Sequence, residues 1–187
     1  MEDGRAAVDA AFEACPRESF LPRGQRRRAS YDGPLPISGG QTNSQPRTVE
    51  AMLRLLDVRP GQTVLDVGSG SGWTTALLAR LVGPDGEVLG LELEPELVAF
   101  GRANLGRTRQ PWAHIEPAVP DLLGRPEAAP YDRILVSAEP RELPVELVDQ
   151  LADDGVLVIP VAGTMLRVTN PGAVVTRHGG YRFVPLR

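Results

Sequence analysis

The 187-residue sequence predicts an α/β fold, and three observations lead there. From residue 63 onward, segments with strand character alternate with helical ones, the pattern of crossover units around a parallel sheet. The first of these strands runs straight into a glycine turn, Gly68-Ser69-Gly70-Ser71-Gly72, before a helical segment. After residue 165 the pieces become short, with turn signals between them, as in antiparallel hairpins. Together these describe a Rossmann-like, mostly parallel sheet flanked by helices, with an antiparallel C-terminal strand end and a short N-terminal helical elaboration.

In chain order, RAAVDAAFEAC (5–15) has helix propensity until Pro16 interrupts it, and an irregular stretch follows to Gly40. From Pro46, Val49, Met52, Leu53 and Leu56 recur at i, i+3, i+4 and i+7, which predicts a helix with Ser44 placed to cap it. The alternation then reads TVLDVG strand, WTTALLARLV helix, EVLGLE strand, ELVAFGRANL helix, AHIEPA strand, YDRILVSA strand, LPVELVDQLA helix and GVLVIPV strand. MLRVT, AVVTRH and YRFVPL close the chain as short strands, with NPG and HGG as the turns between them.

Bulk properties narrow the function classes. The length suits one domain, and 42% hydrophobic with 24% charged residues reads as globular. A formal charge of −4, from 20 basic against 24 acidic side chains, gives no electrostatic reason to seek nucleic acid or anionic lipid. A lone cysteine, Cys15, suits a reducing compartment and packing. No apolar run approaches the ~18 residues that span a bilayer, and the acidic N-terminus lacks a signal pattern, so the cytoplasm is expected. Two histidines, His114 and His178, and one cysteine so far apart lack metal-ligand spacing, and no metal is expected. Both histidines read as structural, on a strand and in a turn. The basic cluster Arg23, Arg26, Arg27 and Arg28 reads as a solvated loop face, with attraction of acidic peptides or RNA as the alternative. Trp73 and Trp112 are the aromatic candidates beside a ligand, although Trp112 near a strand start suits the core.

Glycines between a strand and a helix allow a tight turn and let backbone approach a ligand at the positive helix N-terminus. The G-x-G-x-G spacing is one residue tighter than the G-x-G-x-x-G that accommodates a dinucleotide pyrophosphate, which argues against NAD. Glu92 ends the next strand, twenty positions beyond Gly72, where a carboxylate accepts from both hydroxyls of a ribose. An adenosine-type ligand follows.

These residues carry a resemblance. VLDVGSGSGW followed by LGLE resembles the cofactor region of class I S-adenosylmethionine-dependent methyltransferases. RESFLP, GGQTNSQP, PYDRILVSA, LVDQL, GVLVIPV and FVPL, in that order, resemble the protein-L-isoaspartate O-methyltransferases from about Arg17 to Leu186. The resemblance implies methyl transfer from S-adenosylmethionine to the α-carboxyl of L-isoaspartyl residues in damaged proteins or peptides, which starts repair through a succinimide. It implies a monomer that uses no metal, and one domain over 1–187, with 1–45 as elaboration and cover loop and 46–187 as core. It further implies a cofactor site of Thr42, Asn43, Asp66, Gly68, Ser69, Gly70, Gly72, Glu92, Leu93, Asp121 and Leu122. In that site Glu92 meets the ribose, Asp121 the adenine and Asp66 the methionine end, while Ser44 stands beside the acceptor carboxylate. AVPDLL departs from the family's Gly-Asp-Gly type turn at Asp121, and Asn43 stands where a bulkier apolar residue is common. Two other readings remain open at this point: methylation of an ordinary aspartate in a dedicated peptide, and non-catalytic S-adenosylmethionine binding. Ser44 as a mere helix cap also remains open.

Overall fold

The computed structural model describes residues 2–169 and 174–187. Helix α1 (Glu2–Ala14) leads through two 3₁₀ turns (Arg17–Phe20 and Arg23–Arg28) into a two-stranded antiparallel ribbon, β1 (Leu35–Pro36) with β2 (Thr42–Asn43). Helix α2 (Pro46–Leu56) follows. The core then runs β3 (Thr63–Val67), α3 (Trp73–Val82), β4 (Glu87–Glu92), α4 (Pro95–Leu105), β5 (Ala113–Pro117), β6 (Tyr131–Val136), α5 (Val145–Val148), β7 (Leu151–Val161), β8 (Thr164–Thr169) and β9 (Val174–Gly180).

The seven core strands form one sheet in the order β5-β4-β3-β6-β7-β8-β9. β3 to β7 pair in parallel, and β8 and β9 add antiparallel. From β3 the chain works outward to β5, then returns to place β6 on β3's other side. That reversal opens a crevice at the carboxyl ends of β3 and β6, the usual ligand position in open α/β sheets.

The central strands β3, β4 and β6 and the second half of β7 are buried on both faces, and their alternation divides the core in two. Val64, Val88, Leu135, Val156 and Val158 face a cluster with α1, α2 and α3, while Leu65, Leu89, Ile134, Leu157 and Ile159 face another with α5. The apolar stripe expected on α2 is the buried one: Val49, Met52, Leu53 and Leu56 are each at most 1% exposed.

Four local expectations need correction. The helix LPVELVDQLA shrinks to Val145–Val148, because the buried Gln150 turns the chain and β7 begins at once with Leu151 paired to Tyr131. Gln150 Nε2 donates to Leu123 and Glu146 carbonyls at 2.8 Å, and its Oε1 accepts from Arg125 N at 2.8 Å. HGG is no turn but the end of β9, with Gly179 at φ +82° and His178 on the strand. YRFVPL is no strand: Glu139 holds it, accepting from Gly163 N and Phe183 N through its carboxylate and exchanging backbone bonds with Val184 and Leu186. Finally, Ser44 does not cap α2. Gln45 takes the cap position through its carbonyl, Pro46 follows at the first helical position, and no side-chain cap bond forms among the described residues. The expected NPG turn lies outside the described residues.

Leu53→Ala is expected to cost about 2–5 kcal/mol, since α2 docks through this stripe and the site cannot refill the void. Urea unfolding monitored by circular dichroism measures it, and a loss below ~1 kcal/mol would show that α2 contributes little to the core.

Candidate active site

A cavity of about 740 Å³ opens at the carboxyl ends of the central strands. Its floor is the glycine turn, in which Gly68, Gly70 and Gly72 all have positive φ (+81°, +52° and +81°), a region glycine enters without cost. Leu91 carbonyl accepts from the Gly68 and Ser69 amides at 2.8 and 3.0 Å, which stitches the turn to β4. A side chain at Gly72 would meet Gly101 O and Ile115 Cδ1 at 3.0 Å, and one at Gly101 would meet Gly70 O at 2.9 Å. Two bare Cα positions therefore let α4 press on the back of the turn.

Glu92 ends β4 nearly buried, 7% exposed. One carboxylate oxygen accepts from Gly70 N at 2.8 Å and the other from Glu94 N at 2.9 Å. Each oxygen keeps a lone-pair site, so the group is fixed in place while retaining capacity for two further donors.

Most of the expected residues meet around this cavity. Thr42, Asn43 and Ser44 form one wall, Gly68, Ser69 and Gly70 the floor, and Glu92 and Leu93 the adjoining strand end; Asp121 and Leu122 stand across from them. Asp121 is exposed at φ +62°, a left-handed position that the preceding VP leads into. The Asn43 side chain does not reach out to a ligand: its Oδ1 accepts from Arg17 Nε at 2.6 Å and its Nδ2 donates to Ser71 Oγ at 3.0 Å. Gly72 and Asp66 are not on the wall. Asp66 lies fully buried one hydrogen bond behind it, its Oδ2 accepting from Thr74 Oγ1 at 2.9 Å and Thr75 Oγ1 at 2.7 Å. Its Oδ1, and the buried Ser69 hydroxyl, find no partner among the described residues.

Several participants carried no sequence signal. Arg17 is 6% exposed and donates to the carbonyls of Ala29, Tyr31, Gly33, Asn43 and Ser44 while lying 5.6 Å over the Trp73 ring. Burial lowers its pKa to about 10, and Asp32 opposes that shift, so it stays cationic at neutral pH. An arginine in an irregular stretch fits no periodic template, so only its place in RESFLP drew notice. Asn104, a helix residue that in sequence looks solvent-facing, is buried, and its Nδ2 donates to Ser71 O at 3.0 Å. Among the aromatics, Trp73 lines the cavity and donates to Cys15 O at 2.9 Å, while Trp112 packs on the core and donates to Ala79 O at 2.8 Å. Burial raises the Cys15 thiol pKa. The Val184–Arg187 tail forms the remaining rim, with Arg187 paired to Glu94.

Burial pushes the Asp66 carboxyl up to about 6; the Thr75 and Thr74 hydroxyls oppose the rise and the Glu92 charge adds to it. Because the folded carboxyl holds its proton more tightly than the unfolded one, the folded state binds more protons between about pH 4 and pH 6, and stability falls as pH rises through that window. Asp66→Asn removes the titration and keeps an oxygen for the threonines. In ligand-free urea unfolding, the stability of wild type relative to Asp66→Asn is expected to drop by roughly 2–3 kcal/mol from pH 4 to pH 7. A pH-independent difference would mean that Asp66 stays ionised throughout.

The family model of Protein-L-isoaspartate(D-aspartate) O-methyltransferase matches residues 3–187. A protein-L-isoaspartate O-methyltransferase of Methanopyrus kandleri is 45% identical over 96% of this chain and 82% of its own length. One of Aeropyrum pernix is 46% identical over 94% of this chain and 70% of its own. Among solved structures, a Plasmodium falciparum protein assigned to the same activity, in complex with S-adenosyl-L-homocysteine, superposes with a TM-score of 0.86 at 29% identity, over 97% of this chain and 90% of that one. With the fold, the glycine turn and the whole-length match in agreement, the chain belongs to the protein-L-isoaspartate(D-aspartate) O-methyltransferase family of S-adenosylmethionine-dependent enzymes.

Proposed function

We propose that this chain methylates the α-carboxyl of L-isoaspartyl residues in proteins or peptides, with Ser44 holding the acceptor and Glu92 the cofactor ribose. The observation that carries the reading is one cavity lined by the 42–44 loop, the glycine turn and Glu92 together. The wall residues fit S-adenosylmethionine. Glu92 has free lone-pair sites for two ribose hydroxyls, Gly68 and Gly70 leave the floor without side chains, and the unpartnered Ser69 hydroxyl awaits a polar partner. Asp121 and Leu122 would flank the adenine, with Leu93 and Thr42 closing the sides and Asn43 bracing the 42–44 loop from behind. Asp66 would act on the methionine end through Thr74. Residues 1–45 serve as elaboration and cover for a 46–187 core within one domain.

S-adenosylmethionine supplies a methyl group on a cationic sulfonium. The acceptor carboxylate, with a pKa near 4, is already ionised at neutral pH, so the chain has no proton to remove and needs no general base. Its work is positioning and exclusion of water. The Ser44 hydroxyl, released from any capping duty, would donate to the carboxylate and hold one oxygen in line. No metal is required by this chemistry. A cytoplasmic monomer acting on protein acceptors, away from nucleic acid and membranes, fits the −4 charge and the buried lone thiol. No helix among the described residues is long and apolar enough to cross a membrane.

Radiolabelled S-adenosylmethionine with matched peptides containing isoaspartate, aspartate or D-aspartate tests the function: base-labile methyl ester should appear on the isoaspartyl peptide, and label on the aspartyl peptide alone would overturn it. Glu92→Ala is expected to weaken S-adenosylhomocysteine by about 1.5–3 kcal/mol in calorimetry, the scale of a lost charged hydrogen bond. Unchanged affinity in a folded variant would move the ribose to another group. Ser44→Ala is expected to keep its melting temperature and S-adenosylhomocysteine affinity while kcat on an isoaspartyl peptide falls at least about tenfold, or ~1.4 kcal/mol of transition-state stabilisation. Wild-type turnover would exclude Ser44 from the chemistry.

A further inference from the structure

We propose that Arg17, Asn43 and Ser71 form a positioning relay joining the acceptor loop to the cofactor turn, so that occupation of the glycine turn sets the loop that carries Ser44. The proposal rests on the reading of Ser44 as the acceptor-binding group.

The relay begins at Ser71, between two glycines of positive φ, where the turn has little side-chain support of its own. Its Oγ accepts from Asn43 Nδ2 at 3.0 Å, and its carbonyl accepts from Asn104 Nδ2 at 3.0 Å. Ser71 is thus tied to α4 on one side and to the 42–44 loop on the other. Asn43 is 4% exposed, and its amide is spent entirely inside the protein, since its Oδ1 accepts from Arg17 Nε at 2.6 Å.

Arg17 completes the connection. Its Nη2 donates to Asn43 O at 3.1 Å and to Ser44 O at 2.8 Å. Those two carbonyls belong to the peptide planes on either side of the Ser44 Cα, and two fixed planes fix the direction of the Cα–Cβ bond. One planar guanidinium therefore sets where the Ser44 Cβ stands and leaves the hydroxyl only its χ1 rotamers, and the same guanidinium is held by the amide that holds Ser71. The group is rigid by construction: a delocalised fork, buried, stacked over Trp73 and spread across five carbonyls. A shift of Ser71 when a ligand seats on the turn passes through Asn43 into the Ser44 peptide planes, because both the amide and the guanidinium are buried and tied to their partners.

Asn43→Leu keeps similar bulk and removes both links, while Ser71→Ala removes only the last oxygen and serves if the first variant fails to fold. Hydrogen exchange of the backbone amides at 42–45 is measured with and without S-adenosylhomocysteine, beside kcat and KM on an isoaspartyl peptide. In wild type, S-adenosylhomocysteine should slow exchange at 42–45 at least about fivefold. In both variants that slowing should vanish while S-adenosylhomocysteine affinity stays within about threefold, kcat should fall about tenfold, and the double variant should be no worse than Asn43→Leu alone. Equal slowing in all three proteins, or none in wild type, overturns the relay. If Ser44→Ala retains full turnover while the exchange pattern holds, the relay stands and only the role given to Ser44 falls.

Discussion

The close approach of two bare backbones, Gly72 in the glycine turn and Gly101 in α4, is the constraint on which the rest of the molecule depends. A Cβ at either position would stand about 3 Å from main-chain oxygen, a contact that backbone does not yield to cheaply. Because α4 packs this tightly, the turn between β3 and α3 sits low against the sheet and leaves a hollow above it at the strand ends. Ile115 of β5 fills the same corner, within 3.0 Å of a Cβ on either glycine. Three consecutive core units thus converge behind the turn, and the cavity is what remains in front.

Polar groups then have to be satisfied at a place where apolar packing has stopped. Glu92 does this for the turn itself by accepting from Gly70 N. Arg17 does it for the 29–44 segment, which has two short strands and little core of its own: a charged donor bridges carbonyls that would otherwise be buried without partners. Asp66 is the exception. Its Oδ1 is unpartnered and its ionised form is penalised by burial, so the central strand carries stored electrostatic cost directly beneath the cavity. Such cost is tolerated where a ligand of opposite charge can relieve it.

What was legible in the sequence was what repeats or what needs an unusual backbone. Period-2 and period-3.6 patterns located β3 through β7 and helices α2 to α4, and the glycines declared the turn because only positive φ explains so many of them there. The polar loop GGQTNSQP was recognisable as a wall of the site by its resemblance alone. Reading Ser44 as a cap failed because Pro46 supplies the helix start by itself, with Gln45 as the residue outside. The long helix before β7 failed because Gln150, buried at its end, ties back to Leu123 O and Arg125 N as well as to Glu146 O of α5. Arg17, Asn104 and Glu139 were invisible for a common reason: each makes contacts distant in sequence to main-chain groups, and backbone donors and acceptors leave no trace in residue identity.

The chemistry explains why so few side chains are committed to the reacting atoms. An anionic acceptor and a cationic donor lose their charges together as the methyl passes, so a strongly polar active site would stabilise the reactants more than the transition state. A suitable wall therefore offers a few directed hydrogen bonds against otherwise small or apolar surface. Part of the lining has that character, with Ser44 and Ser69 among Ile37, Val67, Leu91, Leu93 and Ala138, while Glu92, Asp121, Arg141, Glu146, Asp149 and Arg187 bring charge to the same cavity. Two further charges lie behind the lining: Arg17 holds the carbonyls of the 42–44 loop, and Asp66 accepts from the Thr74 and Thr75 hydroxyls under the turn. Placed one layer back, these two groups add rigidity to the loop and the turn without adding further charge to the lining.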